Sequence, residues 1–304
     1  MTFLTSLRDT AVVARFHLMR SLRTRSAVLL CLALTTVSTG GAWVFVQVLQ
    51  QFESAAARAL GVPVTTKPGA MYTVLQEREE FVNFMREVVN SADRVEWAFS
   101  LPFLSVTHFW LLLGTVPFLA AAAGAEVLAG DVKDRSLRYE VLRSGRLEVV
   151  MGRFLGQLLL VFVAVIVASV GTWTIAMTCM IHQDPVLQMS SLLALAPRLC
   201  AWSVPFLGVG VAFSQIAGTM NGARALAIGT TIVTFVAFGT LNSPWGRDLS
   251  LGFFRHVLEP LLPQEYMLDL WGPGSAWLLP AGLLLLLGLS ASVATFPLFA
   301  RRKL

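Results

Sequence analysis

Residues Leu128–Gly156 read LAGDVKDRSLRYEVLRSGRLEVVMGRFLG, a charged insert between two long apolar runs. Lys133, Arg135, Arg138, Arg143, Arg146 and Arg153 alternate there with Asp131, Asp134, Glu140 and Glu148. Short loops rich in Lys and Arg stay on the cytoplasmic side of a membrane, so this insert orients the runs on either side of it. Leu137, Val141 and Leu142 recur between the charges at spacings of four and five, which predicts a helix within the insert. A helix held against the cytoplasmic ends of two spans can take up force from a soluble partner.

The rest of the chain fits a membrane setting. Of 304 residues, 56% are hydrophobic and 13% charged, with a mean hydropathy of +0.69. A soluble domain carries about 25% charge, so the expectation is a single all-α integral membrane domain over residues 1–304. Six runs approach the roughly 20 residues that cross the hydrocarbon core: Ser26–Gln47, Leu101–Leu128, Phe154–Ile181, Ser191–Ile216, Ala223–Leu241 and Ala276–Phe299. Pro197, Arg198 and Pro205 interrupt the fourth, which predicts a kinked helix whose freed backbone groups are satisfied by neighbours.

An even number of spans puts both termini on the side of the insert. That side then holds Arg8, Arg15, Arg20, Arg23 and Arg25, the six basic residues of the insert, Arg224, and Arg301, Arg302 and Lys303. Both termini are therefore expected in the cytoplasm. The same distribution accounts for the net charge of +5 without a nucleic-acid partner. Residues 1–25 lack an isolated apolar core and a small-residue cleavage site, so they do not read as a signal peptide. Leu4, Leu7, Ala11, Ala14, Leu18 and Leu22 share one face, which predicts an amphipathic helix in the membrane interface.

Two outer segments stand apart. Within residues 50–100, the face Met71, Val74, Arg78, Phe81, Val82, Met85, Val88, Val89 and Val95 predicts an amphipathic helix over Met71–Trp97, after breakers at Gly61–Pro63 and Lys67–Gly69. Residues 242–275 are broken by Pro244, Gly246, Pro260, Pro263 and Pro273. They remain apolar and carry Trp245 and Trp271, with Trp277 just beyond, so the reading is a broken re-entrant segment at an aromatic belt.

Several chemistries find no support. The only lysines are Lys67, Lys133 and Lys303, and none completes the Gly-rich phosphate loop that cradles ATP. His17, His108, His182 and His256 lie on separate segments, without the pairing a catalytic zinc needs. Cys31, Cys179 and Cys200 sit in or beside apolar runs and read as small hydrophobes. Met177, Cys179, Met180 and His182 could offer soft ligands to Cu(I), but a helix does not aim all four at one point. Glu126 and Arg198, inside apolar runs, are expected to snorkel to the nearer interface.

The whole pattern resembles the membrane subunits of ABC transporters of the type-2 permease family, and the insert carries the specific likeness. Asp131 and Asp134–Arg135 match the family's charged start, Ser136–Leu137 its Thr-Leu, Arg143–Arg146 its Ser-Arg region, and Gly152–Arg153 its Gly-Lys. The chain departs in lacking a glycine before Ser136 and a proline before Arg146, and in having Arg153 for lysine.

The resemblance implies an ATP-driven exporter. A separate ABC ATPase, in two copies, would bind ATP and Mg, leaving this chain without cofactor or enzymatic activity of its own. A second permease chain, identical or not, would pair with this one in a bacterial inner membrane. Coupling would fall to Asp134, Arg135, Leu137, Arg138, Tyr139, Glu140, Leu142 and Arg143, with Leu137, Tyr139, Val141 and Leu142 as the apolar anchor in the ATPase. The alternative is a mechanotransmitting or anchoring subunit that relays ATPase motion to an outer partner on residues 50–100 without passing substrate.

Overall fold

An apolar backbone in lipid must satisfy its own polar groups, and within one segment only the α-helix does so. The computed structural model describes residues 3–60, 68–69, 79–80, 82–83, 86, 91–133, 137–181, 184–243 and 256–301. Among these there is no strand. The helices are α1 (Phe3–Ser21), α2 (Arg25–Leu60), α3 (Ala92–Ser100), α4 (Phe103–Lys133), α5 (Leu137–Ser144), α6 (Arg146–Cys179), α7 (Pro185–Ile216), α8 (Met220–Asn242), α9 (Leu278–Ala294) and α10 (Phe296–Arg301). Among the described residues, six stretches are long and apolar enough to cross a membrane: α2, α4, α6, α7, α8, and α9 continued by α10.

The spans begin or end further out than composition alone predicts. α2 runs unbroken to Leu60, α6 starts at Arg146 rather than Phe154, and α7 starts at Pro185 behind an Asp184 cap. The Asp184 side chain accepts from the backbone N–H groups of Val186 and Leu187, satisfying two donors a helix start leaves open. Charged and polar turns at these ends stay helical because the helix, once nucleated in the apolar run, adds one bond per residue fixed.

α7 is the centre of the bundle, in contact with α4, α6, α8 and α9. Small residues let its neighbours come close. A side chain on Gly124 of α4 would meet the Gly210 Cα at 3.1 Å, and one on Gly208 of α7 would meet the Gly288 Cα of α9 at 2.7 Å. α2, α8 and α9 lie at the periphery and leave Leu29, Val233 and Leu286 more than half exposed. Both internal prolines of α7 are accommodated within one continuous helix.

Pro117 inside α4 cannot donate to the Leu113 carbonyl one turn back. Trp202 of α7 does so instead, its Nε1–H reaching Leu113 O at 2.9 Å. A proline in one span is thereby compensated by an indole in the next.

One end of the bundle carries both α1 and α10, and is called the terminal face below. At the opposite end, Ser91 is extended and caps α3, so no single helix runs through Met71–Trp97; most of residues 61–90 lie outside the described residues. The described part of the broken segment forms three 3-10 turns, Glu259–Leu261, Pro263–Tyr266 and Leu268–Trp271. Leu262, Leu270 and Trp271 are buried against the bundle. Arg198 does not snorkel. It is 4% exposed, donates to Leu270 O at 2.8 Å and lies 4.1 Å over the Trp97 ring. The aromatic faces and the carbonyl solvate a guanidinium that cannot reach water.

Candidate coupling site

The insert folds as the helix α5 followed by a glycine turn. Gly145 has φ +82°, a conformation that side chains resist, and its N–H closes onto Val141 O at 3.0 Å before α6 begins. Arg146, the first residue of α6, donates to Phe299 O at 2.9 Å and also to Ala300 O, fastening the start of α6 to α10.

α5 has two faces. Leu137 is fully buried, in the same apolar cluster as Val149, Val150 and Phe154, and Val141 packs against that cluster. Tyr139 is 78% and Leu142 77% exposed, beside an exposed Arg143. The expected apolar anchor is therefore divided. Leu137 and Val141 hold α5 to its own bundle, because residues four apart share a helix face, while Tyr139 and Leu142 point away. Asp134 and Arg135 lie outside the described residues, as does the side chain of Arg138.

Glu140 faces a buried charge network. Arg153 of α6 is 2% exposed and forks into Glu140 Oε2 at 2.8 and 3.1 Å, into Asp131 Oδ2 at 2.6 Å, and into Val127 O at 2.6 Å. Arg20 of α1 binds Asp131 through both terminal guanidinium nitrogens at 3.0 and 3.2 Å and approaches Glu140 at 3.9 Å. The bond to Asp131 raises the Arg20 pKa above its ordinary value. Four helices, α1, α4, α5 and α6, thus converge on two arginines and two carboxylates. A planar guanidinium supplies the several fixed donors such a junction needs, where an ammonium would act as a point charge.

α1 lies along the start of α6. Gly152 and Gly156 of α6 make this possible: a side chain at Gly152 would meet Val13 Cβ at 2.6 Å, and one at Gly156 would meet Ala14 O at 2.7 Å. Ser6 Oγ donates to Glu148 at 2.9 Å. His17 Nε2 lies 3.2 Å from Gln157 Oε1. Burial first, and the Arg153 charge next, lower the His17 pKa from 6.5 to about 4. The apolar face expected of α1 is split: Ala14 is buried against α6, whereas Leu7 and Leu22 are exposed together with Val12, Phe16 and Met19.

Residues 11–270 match the family described as ABC-2 family transporter protein. The chain belongs to that family. It is a multi-pass membrane protein and a permease-type subunit of an ABC transporter, and membership implies association with an ABC ATPase. Comparison with curated proteins returns no match.

Within this ABC-2 permease the structure brings Glu140 together with Asp131, Arg153 and Arg20, a grouping the sequence reading did not draw. The spacing offered one signal, since Glu140 and Arg153 bracket the glycine turn that folds α5 back on α6. Glu126, expected to snorkel, keeps a side chain 24% exposed and meets Arg224 of α8 at 2.5 Å, a partner the sequence reading did not name. A second buried group was missed altogether: His108 of α4 lies within hydrogen-bonding range of Ser38 at 2.6 Å, Thr172 at 3.0 Å and Ser169 at 3.2 Å. Hydroxyls three apart on α6 were its only trace in the sequence. Met180 is buried with Ala42, Val46 and Leu104, and Met177 and Cys179 pack on that cluster; His182 lies outside the described residues. No group of three or more His, Cys, Asp or Glu suited to a metal occurs among the described residues.

Proposed function

We propose that this chain is the transmembrane half of an ATP-driven exporter, and that its ATPase docks on α5. The observation that carries the reading is the division of labour on that helix. Its inward face is clamped by Leu137 and by Glu140 in the arginine network, and its outward face presents Tyr139, Leu142 and Arg143. A helix free on both faces would roll under load; one fixed to α4 and α6 passes a push directly to both spans. Tyr139 and Leu142 act as the apolar anchor in a groove of the ATPase, and Arg143, with Asp134, Arg135 and Arg138, supplies polar rim contacts. ATP and Mg are held by the partner, in two copies, and this chain contributes no catalytic group.

The terminal face is then cytoplasmic, in keeping with its basic residues, and the membrane is a bacterial inner membrane. A second permease chain completes the assembly, with the exposed sides of peripheral spans available for pairing. The test is copurification with an ATPase encoded beside this chain, followed by ATP hydrolysis. Loss of stimulation in a Tyr139→Asp chain that still inserts supports docking on α5. Undiminished stimulation in both Tyr139→Asp and Leu142→Asp chains overturns it.

A further inference from the structure

Two cavities meet at Ser26, Glu126 and Gln157 near the terminal face. The larger, of about 280 Å³, is a slot between α2, α4 and α8. Leu29, Leu30 and Ala33 of α2 wall one side, and Leu119, Ala122 and Ala123 of α4 form the floor. The alanines leave the space that larger side chains would fill. The smaller cavity, of about 130 Å³, is polar and reaches His17 and Arg20 of α1 and Asp131 of α4. Glu126 lines both cavities, and its partner Arg224 lines the slot.

The Glu126–Arg224 pair is at 2.5 Å yet incompletely enclosed, with side chains 24% and 33% exposed. Both members of the pair line the apolar slot, and their partial exposure leaves polar atoms accessible beside it. The pair's two signs side by side match a headgroup that also carries both. A phosphodiester accepts hydrogen bonds from the Arg224 guanidinium, as charge-assisted recognition of phosphate by arginine favours. A primary ammonium beside it donates to the Glu126 carboxylate and extends toward the polar cavity. The acyl chain follows the slot of Leu and Ala. An anionic headgroup without the amine would instead set a second negative charge against Glu126.

We infer that this junction is a binding site for a zwitterionic phospholipid of the phosphatidylethanolamine type, drawn from the leaflet on the side of the termini. Neither export nor ATPase docking is required for it, so it stands or falls separately from the proposed function. The full-length chain, purified in detergent, is titrated with dioleoylphosphatidylethanolamine or dioleoylphosphatidylglycerol and weighed intact by native mass spectrometry. The expected result is a single favoured adduct of the ethanolamine lipid, weakened about tenfold in the Glu126→Gln/Arg224→Gln double variant, as the loss of charge-assisted bonds requires. Ala122→Phe fills the slot without altering charge and is expected to abolish the adduct at an unchanged unfolding temperature. Equal binding of both lipids, or adducts unaffected in both variants, overturns the inference. So does a chain that binds neither lipid and forms dimers lost on Ala122→Phe, which would assign the slot to a second copy.

Discussion

Arg153 donates two hydrogen bonds, at 2.8 and 3.1 Å, to a single carboxylate oxygen of Glu140, from the span that follows the glycine turn back to the helix that precedes it. The same guanidinium holds Asp131 at the end of α4, so one side chain bridges both ends of the insert. Removing the buried guanidinium leaves Glu140 with only the 3.9 Å approach of Arg20, while Asp131 keeps its Arg20 bonds, at a cost of about 1–3 kcal/mol. Arg153→Ala is expected to lower the unfolding free energy by that order. Arg153→Lys should recover only part of the loss, because the donors of an ammonium radiate from one atom and cannot reproduce all the contacts that the planar guanidinium makes from three nitrogens. Chemical denaturation of the three proteins in detergent decides it; equal stability of Lys and Arg chains would show that charge alone matters here.

The two faces of α5 let the proposed coupling role be tested apart from folding. Leu137→Asp places a carboxylate in a fully buried apolar site and should destabilise the chain by several kcal/mol. Tyr139→Asp and Leu142→Asp alter side chains more than three-quarters exposed, and their unfolding free energies should stay within about 0.5 kcal/mol of wild type. If the ATPase docks on α5 as proposed, each should still weaken its binding by about 2 kcal/mol, close to 30-fold. Thermal unfolding and ATPase pull-down on the same preparations read both effects. A coupling defect confined to Leu137→Asp would point to folding rather than docking.

Both the six spans and the helix in the insert were legible because apolar periodicity and length are local properties. What was not legible is who meets whom. Glu126 and Arg224 lie 98 residues apart, and nothing in either neighbourhood marks the pair. Arg198 reads as a residue close enough to an interface to reach water, and only the fold reveals Trp97 and the Leu270 carbonyl around it. α1 shows the limit differently. Its heptad-like apolar positions were visible, but the face that packs is chosen by Gly152 and Gly156 on another helix, where the backbone of α1 can approach.

Those glycines make a steric prediction. Gly152→Val or Gly156→Val puts methyl groups where Val13 and the Ala14 carbonyl now sit, and the neighbour in each case is backbone or a stiff β-branched side chain. α1 should be pushed off α6, breaking the Arg20–Asp131 contact with it. Limited trypsin digestion checks this, since α1 carries exposed Arg8 and Arg15. Cleavage there should become faster in the variants while the remaining spans stay intact, and an unchanged cleavage rate would mean that α1 can ride over the added bulk.

The bond from Trp202 to Leu113 O is worth keeping only because Pro117 leaves that carbonyl without its helical donor. Trp202→Phe should cost about 0.6–1.7 kcal/mol, the range for hydrogen bonds between membrane helices, beyond what lost indole packing contributes. In a Pro117→Ala background the carbonyl regains an N–H one turn on, and the cost of Trp202→Phe should shrink. A double-mutant cycle on unfolding free energies isolates this coupling. Additive effects would show that the indole serves packing alone.

His17 gives the chain a pH dependence whose sign follows from its surroundings. Burial and the neighbouring Arg153 and Arg20 hold the folded pKa near 4, below the 6.5 of the free side chain, although Gln157 and Asp131 act the other way. Between these values the unfolded chain binds a proton that the folded chain refuses, so stability falls as pH drops through the window from about 6.5 to 4. The contribution is about 1.4 kcal/mol per pH unit crossed, fully present above 6.5 and not lost further below 4. His17→Gln removes the titration while retaining an amide to face Gln157. Unfolding midpoints of both proteins at pH 7.5, 6 and 5 should diverge toward acid, with wild type falling more steeply. Parallel curves would show that His17 is protonated as readily in the folded chain as in the unfolded one.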